Sequence, residues 1–463
     1  MRKNYLLGMA LIASLSFYSC DKEVIYVQDG NGVESVTDGA QIITLQVENG
    51  GDGLATRAGR PLYSAEAKQD IQNVKLWICD NADKVVYVKD YTKWNDLKSP
   101  DSQEYTEGGH GRQATIELKD ADKLAAGTYQ VYAVGYSNSS DYNLDVVTNV
   151  KKDDTFNENM VLSFKENAAN KIGEEIFAGQ MELEVETGKG FKKPIVLNRQ
   201  VAGAFAYVKD IPYMEGAKYL KLVASAQNES LVLGNFNSVD LANNGSNTGE
   251  SVKYVVNGTE GRSGSDTYVI STIDLNEWFT DIKDKDGDNL IDVFSGESSQ
   301  EETKYANWKN PYKPAGEPVV GTYPTFQKGS VFGGEFVIPF AHVDGKQTLT
   351  LQLTKDKVNN EEVLRSWKVN LNSEDVQLNK EITYWNSDWN STITDTSANT
   401  YSLVRNHLYG IGKRVNDDPG NGTDPEPETP DPDKDKPESL NNKQELVLKV
   451  NDNWEVIHGM ELD

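Results

Sequence analysis

The chain has 463 residues, with 72 Asp plus Glu against 46 Lys plus Arg for a formal charge of −26, and 37% apolar residues. At roughly 100–200 residues per domain this is length for two or three domains, and the acidic surface would repel a phosphate backbone, which excludes nucleic acid as a partner. Four His and two Cys leave little for metal ligation, nucleophilic attack or proton shuttling and disfavour an enzyme, whereas 22 Tyr with frequent Thr, Val and Gly favour strands and turns.

The chain opens as a secretory signal. Arg2 and Lys3 precede an apolar run from Tyr5 to Phe17, too short to span a membrane, and the run stops at Cys20 before Asp21-Lys22-Glu23. This is the arrangement of a bacterial lipoprotein signal over residues 1–19, cut before a lipidated cysteine, so Cys20 is the expected acylation site and the outer membrane the expected anchor. With Cys20 acylated, Cys79 has no disulfide partner and reads as a small core side chain in an alternating strand.

The first strand-like segment is Ile43-Thr44-Leu45-Gln46-Val47, with Ile43, Leu45 and Val47 on one face. After it, Gly53 to Pro61 form a flexible stretch with Arg57 and Arg60, the kind of exposed loop where proteases cut. Pro61 disfavours cleavage after Arg60, which leaves Arg57–Ala58 as the expected bond and residues 20–57 as a removable propeptide carrying the first strand.

From Ala58 to about residue 415 the sequence reads as strand after strand, from Asn73–Ile78 and Lys84–Lys89 through Val201–Val208 to Ser366–Leu371. Turn signals such as Asn81-Ala82-Asp83 and Thr187-Gly188-Lys189-Gly190 punctuate them. The length suits two β-sandwiches, placed at 58–208 and 209–415. Residues 416–443 form a Pro/Asp linker with six of the chain's 15 prolines at positions 419–437, an extended spacer rather than a core. Beyond it, residues 444–463 hold two amphipathic segments, with Leu446, Leu448 and Val450 on one face of the first and Trp454 and Val456 on one face of the second. Two strands on a tether need a sheet to complete.

Leu446-Val447-Leu448-Lys449-Val450 carries the same i, i+2, i+4 face as Ile43-Thr44-Leu45-Gln46-Val47. Loss of residues 20–57 would open a groove that the tail of a second molecule could fill, and head-to-tail insertion does not close on itself. At this point the chain resembles the major fimbrillin family, the type V pilins of Bacteroidetes. The resemblance rests on Leu15–Cys20, on Ala55-Thr56-Arg57-Ala58-Gly59, on Val196 to Ala202, on Val404 to Tyr409, and on the Pro/Asp linker with its Trp454-containing tail. It implies an all-β fold of two tandem transthyretin-like Greek-key sandwiches with a C-terminal donor-strand tail. It further implies export as an outer-membrane lipoprotein precursor, cleavage by an arginine-specific protease, and assembly with identical subunits and with anchor and tip subunits into an adhesive extracellular fimbrium. A cleavable strand together with a donor tail makes this chain a stalk subunit. A tip or anchor subunit, or a glycan-binding surface lipoprotein, are the alternatives.

Other signals point to no catalytic residue, metal or cofactor. The acidic stretch 281–292, counted with Gly287 at position six of a calcium loop, has Ile282 first and Val293 twelfth and reads as a solvated turn. His110, His342, His407 and His458 form no triad spacing.

Overall fold

The computed structural model describes residues 26–28, 34–36, 39–47, 71–92, 94, 102–104, 112–138, 140–166, 174–234, 254–259, 262–294, 306–313, 315–316, 324–342, 349–357, 362–371, 382–385, 392–395, 401–403, 405–412, 435–441 and 445–453. The fold is all-β, as the strand-rich sequence predicts.

In chain order the first unit runs β1 (Tyr26–Gln28), β2 (Glu34–Val36), β3 (Gln41–Val47), β4 (Asn73–Cys79), β5 (Val85–Tyr91) and β6 (Ser102–Glu104). It continues with β7 (Arg112–Leu118), β8 (Gly127–Tyr136), β9 (Val161–Ser163), β10 (Phe177–Val185) and β11 (Phe191–Arg199). The second unit has β12 (Ala202–Lys209), β13 (Tyr219–Gln227), β14 (Ser230–Val232), β15 (Tyr254–Val256), β16 (Gly258–Thr259), β17 (Arg262–Asp274), β18 (Val331–Val337) and β19 (Phe340–His342). It closes with β20 (Leu349–Thr354), β21 (Val363–Leu371), β22 (Ile382–Trp385), β23 (Thr392–Asp395), β24 (Tyr401–Leu403), β25 (His407–Ile411), β26 (Glu438–Ser439) and β27 (Glu445–Asn453).

The first sheet has the order β5-β4-β8-β10-β11-β3-β7-β6, and its two halves meet where Phe177 pairs with Arg199 and Ala178 with Asn198. Side chains from both halves share one core: Val74, Leu76, Ile78 and Val131 from one, Ile43, Leu45, Ile116, Ile195 and Leu197 from the other. The sheet therefore folds across itself as a sandwich. The β4–β5 hairpin turns where its sequence predicts, with the Asp80 carboxylate accepting from Ala82 N at 2.9 Å and Lys84 N at 3.0 Å while Asp83 adopts φ 57°.

The second sheet has the order β17-β13-β20-β21-β27-β25-β12-β18. Its core joins Leu220, Leu222, Leu351, Leu353 and Trp367 to Phe205, Tyr207, Phe332, Leu408 and Tyr409. All seven residues of β4 are buried, because a third cluster covers its other face. There Trp77, Tyr132 and Val134 pack with Phe156 and Met160, and with Val201, Leu231, Leu233 and Ile338 of the second unit. A small sheet of β16-β14-β9 also crosses between the units.

Two boundaries differ from those read in the sequence. The expected break at 208/209 would cut β12, which pairs with β18 through Ala202–Val208 and with β25 through Gly203–Ala206 in the second sheet, so the units meet at Gln200–Val201. The expected linker ends before residue 443: Asp435 and Leu440 are buried, Tyr207 Oη donates to Asp435 Oδ2 at 2.8 Å, and Leu440 N donates to Lys209 O at 2.9 Å.

Gly179 marks a tight approach between β10 and β11, where an added Cβ would run into the Val196 carbonyl oxygen. Gly179→Ala is expected to destabilise the chain by about 1–3 kcal/mol, because backbone and not a yielding side chain stands in the way; a urea unfolding curve reads this.

Candidate functional site

Three places bear on function: the position of β3, the position of β27, and the junction between the units. β3 lies inside the first sheet. It runs parallel to β11, from Phe191↔Gln41 to Leu197↔Val47, and antiparallel to β7, from Gln41↔Leu118 to Val47↔Arg112, so seven residues are paired on each side. Ile43 and Leu45, expected as the displaceable face, are both 0% exposed in the core. Val47 shares their strand. Gln41 is buried at the start of β3, and its side chain clips onto main chain: Nε2 donates to Leu124 O at 2.9 Å and Oε1 accepts from Leu124 N at 2.7 Å.

β27 has the same kind of neighbours in the second sheet. It is parallel to β21 through four register pairs, from Lys368↔Glu445 to Leu371↔Leu448, and antiparallel to β25 through four, from Gly410↔Lys449 to His407↔Asn453. The tail segment therefore does not stand off on a tether. It bridges the two halves of its own chain's second sandwich, with Leu446 at 1% exposure in that core. Leu448 and Val450 are opposite Leu371 and Tyr409 in the register. Cys20, Arg57, Ala58, Trp454 and Val456 lie outside the described residues.

At the junction, the segment Val196–Ala202 and the described part of Val404–Tyr409, from Arg405 on, come together across 205 residues of chain. Gln200 Oε1 accepts from Arg405 Nη1 and from Asn257 Nδ2, each at 3.2 Å, and Gln200 Nε2 donates to Asn198 O at 2.9 Å. Arg405 Nη1 also donates to Gly234 O at 2.7 Å, and Asn406 N to Val201 O at 2.9 Å. Beside them the buried Arg199 donates from Nε and Nη2 to Glu175 Oε1, at 2.9 and 2.6 Å. Its guanidinium lies 5.0 Å from the Phe177 ring of the first unit and 5.8 Å from the Phe336 ring of the second. Buried polar groups engaged in this way rigidify what they join.

The Cys79 thiol and the Glu335 carboxyl owe their displaced proton affinities to burial. The thiol is pushed up to about 12 by desolvation, with Asp83 and Asp80 adding to it, which keeps it protonated and inert. Glu335, half-buried on β18, is raised by desolvation to about 7.

The acidic loop is better counted from Asp284 than from Ile282. Carboxylates then fall at the first, third, fifth and ninth positions and Asn289, with φ 67°, at the left-handed sixth, while the twelfth is Ser295, so the bidentate carboxylate is missing in this count as well. Oxygens of Asp284, Asp286 and Asp292 lie within 4.8 Å of one another. The same carboxylates also cap the loop: Asp284 accepts from Gly287 N and Asn289 N, and Asp292 from Lys285 N.

No protein-family model and no curated protein matches the chain. Solved structures similar to it include the fimbrial anchor protein Mfa2 from Porphyromonas gingivalis, at 11% identity and TM-score 0.31, covering 79% of this chain and 99% of that one. Another is a fimbrial assembly protein from Parabacteroides distasonis, at 10% identity and TM-score 0.33, covering 81% of this chain and 90% of that one.

Two measurements check this description. Glu175→Ala removes the carboxylate that accepts from the buried Arg199 guanidinium and is expected to cost about 3–5 kcal/mol in a denaturant titration, most of it recovered by the apolar pair Glu175→Leu with Arg199→Met. Glu335 holds its proton longer in the folded chain than in the unfolded one, whose carboxyl titrates near 4.3. Below that pH both states are protonated and no penalty exists; between there and about 7 the unfolded state ionises first, so stability falls as pH rises. Glu335→Gln is expected to remove that component of the pH dependence and to leave the chain more stable than wild type above pH 7.

Proposed function

We propose that this chain is the stalk subunit of a surface fimbria, exported as a lipoprotein through Cys20, cut between Arg57 and Ala58, and polymerised by strand exchange with identical subunits. The observation that carries the reading is the position of β3. This strand fills the middle of a sheet and contributes two fully buried side chains, yet the chain reaches β4 from it only through the stretch that holds Arg57. A cut there converts one strand of the core into a separable piece. Its loss would leave β11 and β7 each with a row of unpaired backbone groups and an apolar slot between them.

The tail has reason to move into such a slot. In its own sheet β27 is paired through four positions on each side, whereas the place of β3 offers seven on each side. Each added ladder bond contributes about 0.5–1.5 kcal/mol, so the longer place favours transfer of the tail to a neighbour. Successive transfers run head to tail and propagate a fibre. Anchor and tip subunits would terminate it, and an arginine-specific protease would start it.

The test is maturation and assembly of the full chain. Surface-harvested protein is expected to begin at Ala58 and to run as a ladder of multimers on unheated detergent gels. Arg57→Ala should keep residues 20–57 and remain monomeric, and a chain lacking 444–463 should be cleaved but not polymerise. Mature fibres that still begin at Cys20, or a ladder indifferent to removal of 444–463, would overturn the reading.

A further inference from the structure

Among the described side chains of β3, that of Gln41 answers main-chain groups outside the ladder, and its two bonds satisfy both the N–H and the C=O of Leu124. Leu124 packs against the first core just after the short 3-10 turn Asp120–Asp122, so these two groups are partly shielded from water. Any strand that takes the place of β3 either supplies a carboxamide at this point or leaves a donor and an acceptor unmatched.

Setting the tail against β3 by its apolar face puts Gln444 at the place of Gln41: Gln444-Glu445-Leu446-Val447-Leu448-Lys449-Val450 over Gln41-Ile42-Ile43-Thr44-Leu45-Gln46-Val47. Resting on the strand-exchange reading above, we propose that Gln444 of a second copy of this chain is the positioning residue that fixes the register of the inserted strand, by taking over the clip onto Leu124.

The neighbouring positions fit the same alignment. Leu446, Leu448 and Val450 fall at Ile43, Leu45 and Val47. Thr44 is buried and its hydroxyl has no hydrogen-bond partner among the described residues; Val447 brings the same branched shape there without the hydroxyl. Glu445 falls at Ile42, where Lys192 on β11 is a favourable neighbour and Glu117 on β7 a like charge.

Other registers fail on named residues. A slip of one residue turns the apolar face outward. A slip of two in one direction puts Leu446 at the clip and Asp452 on the core face. The same slip in the other direction puts Gln444 into the fully buried place of Ile43 and Asn442 at the clip. Of these, the aligned register alone has a carboxamide of the right length at Leu124 and apolar side chains at the three inward positions.

The test uses full chains cut after Arg57 and mixed in pairs, a Glu445→Cys donor with a Glu117→Cys or a Thr115→Cys acceptor, followed by oxidation. In the aligned register Glu445 lies opposite Glu117; after the two-residue slip that places Asn442 at the clip it lies opposite Thr115. The donor with Gln444 intact is expected to couple to the Glu117→Cys acceptor in preference to the Thr115→Cys acceptor by about tenfold, the factor that one unmatched buried polar group supports. Adding Gln444→Leu to the donor makes the slipped register apolar at the place of Ile43, so coupling is expected to move to the Thr115→Cys acceptor. Equal coupling to the two acceptors with Gln444 intact, or an unchanged preference for Glu117→Cys once Gln444→Leu is added, would overturn the role of Gln444 and leave strand exchange standing. Coupling to neither acceptor would overturn the exchange reading itself.

Discussion

An interior strand has two rows of backbone hydrogen bonds to satisfy and two faces to cover, and β3 meets that condition for half of the first sandwich. Its neighbours β11 and β7 touch it along seven residues each and do not pair with one another. The core between the sheet halves is built on its Ile43 and Leu45. The rest of the first unit is thus arranged around a segment near the start of the chain, separated from the next strand by a stretch containing two arginines. Strand order, core composition and the proposed function all follow from this one dependence.

The second unit shows the same device with a different source. β27, from the end of the chain, also enters between a parallel and an antiparallel partner and binds the two halves of its sheet together. Its pairing is shorter, and it changes partners midway, from β21 to β25. A strand that serves two half-ladders makes fewer backbone pairings than one with two full ladders.

Much of this is legible in the sequence, and the parts that are not have physical causes. Long β-branched and aromatic runs such as Asn73–Ile78 and Val201–Val208 fall on β4 and β12, because their alternation and turn signals are local. The three-residue β9 and β14 are not readable in the same way: β9 is a strand by pairing with β14 across the unit boundary, and β14 by pairing with both β9 and β16. The boundary itself carries no sequence mark, because β11 and β12 are separated by only Gln200 and Val201, with no change of composition between them. The importance of Gln200 and Arg405 depends on a meeting across 205 residues, which no spacing rule can show. Gln41 is within reach of the sequence, since it stands two residues before Ile43 as Gln444 stands two before Leu446. A polar residue ahead of an apolar face nonetheless resembles a strand entry until its contact with Leu124 is known. In the acidic loop both Gly287 and Asn289 have positive φ, and only the glycine is marked as a turn by its residue type.

The junction has a mechanical consequence. Arg199 touches aromatic rings of both units, Gln200 is engaged by Asn257 and Arg405, and the β16-β14-β9 sheet crosses the same divide. Separating the two sandwiches would therefore have to break buried hydrogen bonds, ring contacts and a shared strand pairing together. In a fibre of the kind proposed, the joints between molecules, rather than this junction, would be the places to bend.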